Sequence, residues 1–179
     1  MLRWLSDRKH TQATALELYG SSVAQSRLPG FYRELCVADT FSGRFELVML
    51  HVGLLLRRLT AEGDAGKELG RVLVERMFAI LDDDMREIGI SDLSVAKKMQ
   101  TAASSFYGRL KAYDAALAQP GGAALSETLT RNIPASEGKL LQAAPLSGYV
   151  RTVAESLSKQ PFASFQQGLV TFPAPVVSQ

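Results

Sequence analysis

At 179 residues, 46% apolar and 21% charged, the chain can bury one sizeable core, and its composition excludes a disordered, collagen-like or disulfide-scaffold protein. Twenty basic against 18 acidic residues leave a net charge of +2, which excludes the strong overall positive field of a nucleic-acid-binding domain. The one cysteine, Cys36, has no partner for an internal disulfide; set among Leu35, Val37 and Ala38, it reads as a buried structural thiol in a reducing compartment.

In chain order, Met1 to His10 is interrupted by Asp7, Arg8 and Lys9 and does not read as a signal peptide. Residues 1–11 are set apart as an N-terminal segment, and 12–165 as the helical domain. Ala13, Leu16, Tyr19 and Val23 recur at helical spacing and predict a helix over 12–25. Pro29 and Gly30 break it, and Pro29 suits the first turn of a short helix reaching Cys36. Asp39 or Thr40 then caps a helix from Phe41 to Leu59. Phe45, Val48, Met49, Val52, Leu55 and Leu56 line one side of it, and Leu47, Leu50 and Leu54 the other, so it is expected to be central and buried. Arg57 and Arg58 suit its C-terminal dipole. The stretch Phe45 to Leu56 contains Glu46, His51 and Gly53 and falls short of the ~20 apolar residues of a membrane span.

Gly63 to Gly66 reads as a break, followed by a helix over 67–85 and a loop over 87–91 around Gly89. Ser91 caps a long helix over 92–118, whose face is Val95, Met99, Ala102, Ala103, Phe106, Leu110, Tyr113 and Leu117. Gly108 costs about 1 kcal/mol relative to alanine inside a helix, which points to a close helix approach there. Shorter helices are expected over 125–132 and 145–160, stopped by Pro134 and Pro161. Residues 166–179, with Pro173 and Pro175, read as an extended C-terminal tail. No alternating run supports a sheet, so the fold expected is all-α, a single irregular helical bundle or orthogonal helical domain.

Catalytic chemistry has little to draw on. The two histidines, His10 and His51, and Cys36 form no metal-ligand spacing, and no phosphate-binding glycine loop or nucleophile elbow occurs. No catalytic residue, metal or cofactor is expected. His51, on an apolar helix, reads as a core histidine held by hydrogen bonds; the alternative is an axial haem ligand. The acidic run Asp82-Asp83-Asp84 reads as a solvated helix end, with Arg86, Lys97 and Lys98 as its nearest cations. A second alternative is a membrane-surface role for Leu2, Trp4 and Leu5 with Arg3, Arg8 and Lys9.

Several of these segments together resemble the ubiquinol–cytochrome c chaperone family. They are Phe31-Tyr32, Asp39-Thr40-Phe41 with Phe45, Leu50-His51, Arg58-Leu59, the block Asp84-Met85-Arg86-Glu87-Ile88-Gly89-Ile90-Ser91-Asp92-Leu93, Lys97 and Met99, Phe106-Tyr107-Gly108-Arg109, Tyr113-Asp114 and Arg131-Asn132. The resemblance covers roughly residues 29 to 133. It implies an assembly chaperone without catalytic residues, which binds newly made cytochrome b or other reductase subunits for ubiquinol–cytochrome c reductase, respiratory complex III. In mitochondria it implies a small co-chaperone and work beside the ribosome exit. With no transit-like extension, the chain looks like a bacterial member, cytoplasmic or peripheral on the inner face of the cytoplasmic membrane. A client chaperone needs an apolar surface and charges that set register. The residues expected to bind protein are Asp83, Asp84, Arg86, Glu87, Asp92, Lys97, Lys98, Tyr107 and Arg109.

Overall fold

The computed structural model describes residues 2–87 and 89–175, the first six as backbone only. Eight helices account for the regular structure among them: α1 (Leu2–Ser26), α2 (Pro29–Arg33), α3 (Phe41–Thr60), α4 (Gly63–Glu87), α5 (Asp92–Leu117), α6 (Ala123–Asn132), α7 (Ala143–Lys159) and α8 (Phe162–Gln166). The fold is all-α; a single antiparallel bridge, Val37 to Ala135, is the only strand-like pairing among the described residues.

The apolar density of α3 makes it the hub. It packs against α1, α4, α5 and α7, while α6 packs against both α5 and α7. Leu47, Leu50, Val52, Leu55 and Leu59 from α3 meet Leu18, Leu73, Met77, Val150, Val153 and Leu157 in one core. Thr40 starts α3, its hydroxyl accepting from the Gly43 N–H at 3.2 Å. At the other end, Arg58 leaves its own helix and donates to the Leu157 and Gln160 carbonyls at 2.8 and 2.9 Å, closing the C-terminus of α7. Arg57 pairs with Asp114 of α5 at 2.9 Å.

Several elements depart from the sequence expectation. The first helix begins at Leu2 rather than Gln12, running through the expected boundary at residue 11. Its buried face is also a different one: Ala13 and Leu16 are exposed, while Thr14, Ala15, Leu18, Ser22 and Ser26 are buried. Ser22 and Ser26 satisfy their hydroxyls on the Leu18 and Val23 carbonyls, so a polar face can be buried at low cost. Gly63 to Gly66 is the first turn of α4, not a break. A Cβ on Gly66 would lie 2.0 Å from the Leu59 carbonyl oxygen, so glycine there lets α4 fold back on α3 after the turn at Ala61 and Glu62. Gly108 faces open space; the close approach of α3 to α5 is at Gly53, where a Cβ would meet the Leu110 side chain at 2.4 Å. Cys36 is half-exposed rather than buried, because its left-handed backbone (φ 59°) turns the chain between α2 and the bridge.

After α8 the chain runs extended to Pro175, with residues 176–179 outside the described region. The extended part is bound to the helices. Gln160 donates to and accepts from the Thr171 backbone at 2.8 and 2.9 Å. Gln25 donates to the Pro173 carbonyl at 2.7 Å, and Phe172 packs edge-on to His51.

Candidate functional site

The block Met85 to Leu93 forms the corner between α4 and α5. The Gly89 N–H bonds the Arg86 carbonyl and the Ile90 N–H the Met85 carbonyl, with Gly89 at φ 83°. Ile90 also packs beside Met85. This is a complete Schellman stop, and it requires glycine at the left-handed position. Arg86 donates to Asp82 at 2.7 Å and reaches forward to Asp92, joining the end of α4 to the start of α5. Ser91 holds the N-cap position, but its hydroxyl contacts Ser94 and caps no backbone N–H.

Beyond the corner, α5 leans on α3 and α4 through Val95, Met99 and Ala102, which share a small second core with Leu81, Met85, Phe45 and Phe78. Between these helices opens a groove of about 500 Å³, lined by Phe45, Met85, Ala102, Thr101, Ser94, Ser105, Lys97, Lys98 and Arg109. Its walls are mainly apolar, with the two lysines among its lining residues. Phe41 stacks on Phe45 at 6.1 Å and is 65% exposed, and Leu93 near the corner is 86% exposed. Large apolar side chains left in water are the usual raw material of a contact surface.

Arg109 turns inward and pairs with Glu46 of α3 at 2.8 Å. Glu46 is only 6% exposed, and burial pushes its carboxyl up to about 7 against the pull of the arginine. One Glu46 oxygen, Oε2, and Arg109 Nε have no hydrogen-bond partner among the described residues. The pair therefore keeps one acceptor and one donor in reserve beside an apolar surface. The same environment raises the nearby Tyr113 hydroxyl, by burial first and by the Glu46 charge second.

The structure thus divides the expected protein-binding residues. Lys97, Lys98 and Arg109 line the groove. Arg86 and Asp92 build the corner. Asp83, Asp84 and Glu87 stand exposed on the last turns of α4, and Tyr107 lies on the outer face of α5, against the edge of Phe106. Glu46, Phe45, Phe41 and Met85 belong to the site and were not expected in it. The signal for Glu46 was present, since it is the one acid in the run from Phe45 to Leu56.

His51 is fully buried. Its Nδ1 faces the Leu47 carbonyl at 2.7 Å and its Nε2 the Tyr149 hydroxyl at 2.7 Å. The carbonyl can only accept, so Nδ1 carries the proton, Nε2 accepts from Tyr149, and the Tyr149 oxygen accepts from Gln25 at 2.9 Å. Neither nitrogen is left for an iron. No group of three or more metal-ligating side chains occurs among the described residues. A larger cleft of about 660 Å³ lies between α7 and the extended C-terminal segment, but its one ionisable group, Tyr149, is already engaged. The side chains of Leu2, Trp4 and Leu5 lie outside the described residues.

Comparison with known proteins adds four findings. The model of the family described as "Ubiquinol-cytochrome C chaperone" matches residues 33–172. Ubiquinol-cytochrome c reductase complex assembly factor 1 of Mus musculus is 30% identical over 100 residues, 56% of this chain and 34% of that protein. Its Drosophila melanogaster counterpart is 32% identical over 108 residues, 58% of this chain and 42% of that protein. Against these relatives the chain thus aligns over a third to two-fifths of their length. The crystal structure of the Cbp3 homolog from Brucella abortus superposes with a TM-score of 0.83 at 33% identity, covering 98% of both chains.

Proposed function

The chain belongs to the ubiquinol-cytochrome C chaperone family, and from that premise we propose that it assists assembly of ubiquinol–cytochrome c reductase by holding an apolar segment of a reductase subunit, cytochrome b first among them, in the α3–α4–α5 groove. The family is one of assembly factors, not a catalytic one, and the chain is not an enzyme. The observation that carries the reading is the groove itself: Phe45, Met85 and Ala102 on its walls, Phe41 and Leu93 exposed nearby, and two lysines beside them. Apolar walls hold a membrane-protein segment kept from water, and Lys97 and Lys98 select acidic or interfacial residues at its end. No described helix is long and apolar enough to cross a membrane, and the chain would meet its client as a peripheral protein at the inner face of the cytoplasmic membrane.

The test is complementation of a deletion in the encoding host. Leu93→Asp, at an exposed position, and the double variant Lys97→Glu/Lys98→Glu are expected to stay folded, fail to co-purify with cytochrome b, and lower the b-type haem signal and reductase activity while other respiratory complexes keep theirs. Full reductase levels with both variants would remove the groove from the mechanism.

A further inference from the structure

A second surface lies across the first turn of α3 from the groove. Arg27 at the end of α1, Arg33 at the end of α2 and Arg44 on α3 line a recess of about 390 Å³ with Tyr32, Pro29 and Asp39. Asp39 pairs with Arg44 at 2.6 Å. Arg27 and Arg33 make no ion pair among the described residues and are exposed. Three guanidinium groups against one carboxylate leave two positive charges on one small concavity. The Tyr32 hydroxyl spends its proton on the Ser26 carbonyl at 2.7 Å and brings no negative charge to offset theirs. Like charges held this close repel one another, and an anion entering the recess would relieve that repulsion while meeting planar donors suited to phosphate.

The recess has an apolar edge. Phe41 precedes Arg44 by one helical turn on the same side of α3, and its ring is mostly in water. Through its stack on Phe45 it continues the apolar lining of the groove. Basic groups beside an exposed aromatic ring are what an interface between anionic headgroups and acyl chains accepts. A nucleic-acid backbone would satisfy the arginines, but it offers no apolar phase to a surface that continues into Met85 and Ala102.

We propose that the recess of Arg27, Arg33 and Arg44 seats the phosphate headgroup of an anionic phospholipid, with Phe41 entering the acyl boundary, so that the mouth of the groove faces the membrane. The proposal goes beyond the assembly reading, because it assigns a ligand class and a surface whichever subunit the groove receives.

The full-length chain is sedimented with vesicles of phosphatidylcholine alone and of phosphatidylcholine mixed with phosphatidylglycerol. It is expected to bind only the mixed vesicles, and less well as salt rises. Arg27→Gln/Arg33→Gln should weaken partitioning about fivefold per charge, about 25-fold together, and Phe41→Ser should weaken it further, with melting temperatures unchanged. Binding to phosphatidylcholine alone, or binding lost with Trp4→Ala and kept by the arginine pair, would overturn the proposal. So would a single-stranded oligonucleotide that binds the recess more tightly than the vesicles do. Inorganic phosphate that raises the melting temperature as much as short-chain phosphatidylglycerol does would assign the recess to free phosphate instead. Capture of cytochrome b in detergent is read separately on the arginine variant and is expected to persist. Its loss would place the recess in the client site and defeat the lipid assignment, whereas lost vesicle binding alone leaves the groove reading intact.

Discussion

Glu46 and His51 lie five residues apart on α3 and titrate in opposite senses. Glu46 is held near 7 when folded, above the 4.5 of an ordinary carboxyl, so the folded chain carries the extra proton between those values and stability falls as pH rises through them. Burial holds the His51 imidazole down near 4, below its ordinary 6.5, so there the unfolded chain carries the extra proton and stability rises with pH, by about 3 kcal/mol over the interval. The two slopes oppose each other between about 4.5 and 6.5. Glu46→Gln is therefore expected to steepen the rise of the urea midpoint between pH 4.5 and 6.5 and to abolish any fall from 6.5 to 7; an unchanged profile would mean that the carboxyl titrates normally. His51→Ala leaves the Tyr149 hydroxyl proton without its acceptor and opens a cavity in the core, at a cost of about 3 kcal/mol. Haem added to the wild-type chain should give no Soret band that His51→Ala removes. The reading of His51 as a core histidine was available from its apolar neighbours. The identity of its partner was not, because Tyr149 stands 98 residues away and only packing of α7 on α3 joins them.

The helices themselves were largely legible, and where they were not the reason is local. Apolar spacing located α3 and α5 to within a residue or two, and Pro134 and Pro161 marked the ends of α6 and α7. The true face of α1 was hidden because small hydroxyl residues carry it, and hydropathy cannot tell a serine bonded to its own helix from one bonded to water. Glycines were ambiguous for a related reason, since sequence does not show what stands opposite. Gly66→Ala should cost about 3 kcal/mol, as its Cβ meets a backbone carbonyl that cannot move aside, and lower the melting temperature by about 8 °C. Gly108→Ala has open space and should raise it by about 3 °C through the ordinary helix preference for alanine. Equal effects at the two positions would contradict the packing described. The groove was half legible for the same reason: Lys97, Lys98 and Arg109 stood in a recognisable block, but Phe45 and Met85 enter it from two other helices, and Glu46 holds Arg109 from beneath.

Across the whole molecule, the extended segment after α8 bridges α1, α3 and α7 through Gln25, His51 and Gln160. Cutting the chain after Gly168 removes the Phe172 ring from His51 and lets water reach the imidazole, so its titration by NMR should move up toward its ordinary value; a titration unchanged by the cut would show that the helices alone keep it dry. The division of the apolar interior into a large core and a small one at the α4–α5 corner has a different consequence. In the first half of α5 only Val95 is fully buried, and the link to the main core runs through Phe45 and Phe78. With so little buried surface the corner is expected to behave as a separate foldon, and amide hydrogens of residues 92–105 should exchange through openings that leave those of α3 protected. If the groove does receive a client, one of its jaws would hinge at low free energy while the other is the most deeply rooted helix in the protein, and the groove would widen to segments of different girth without the fold coming apart.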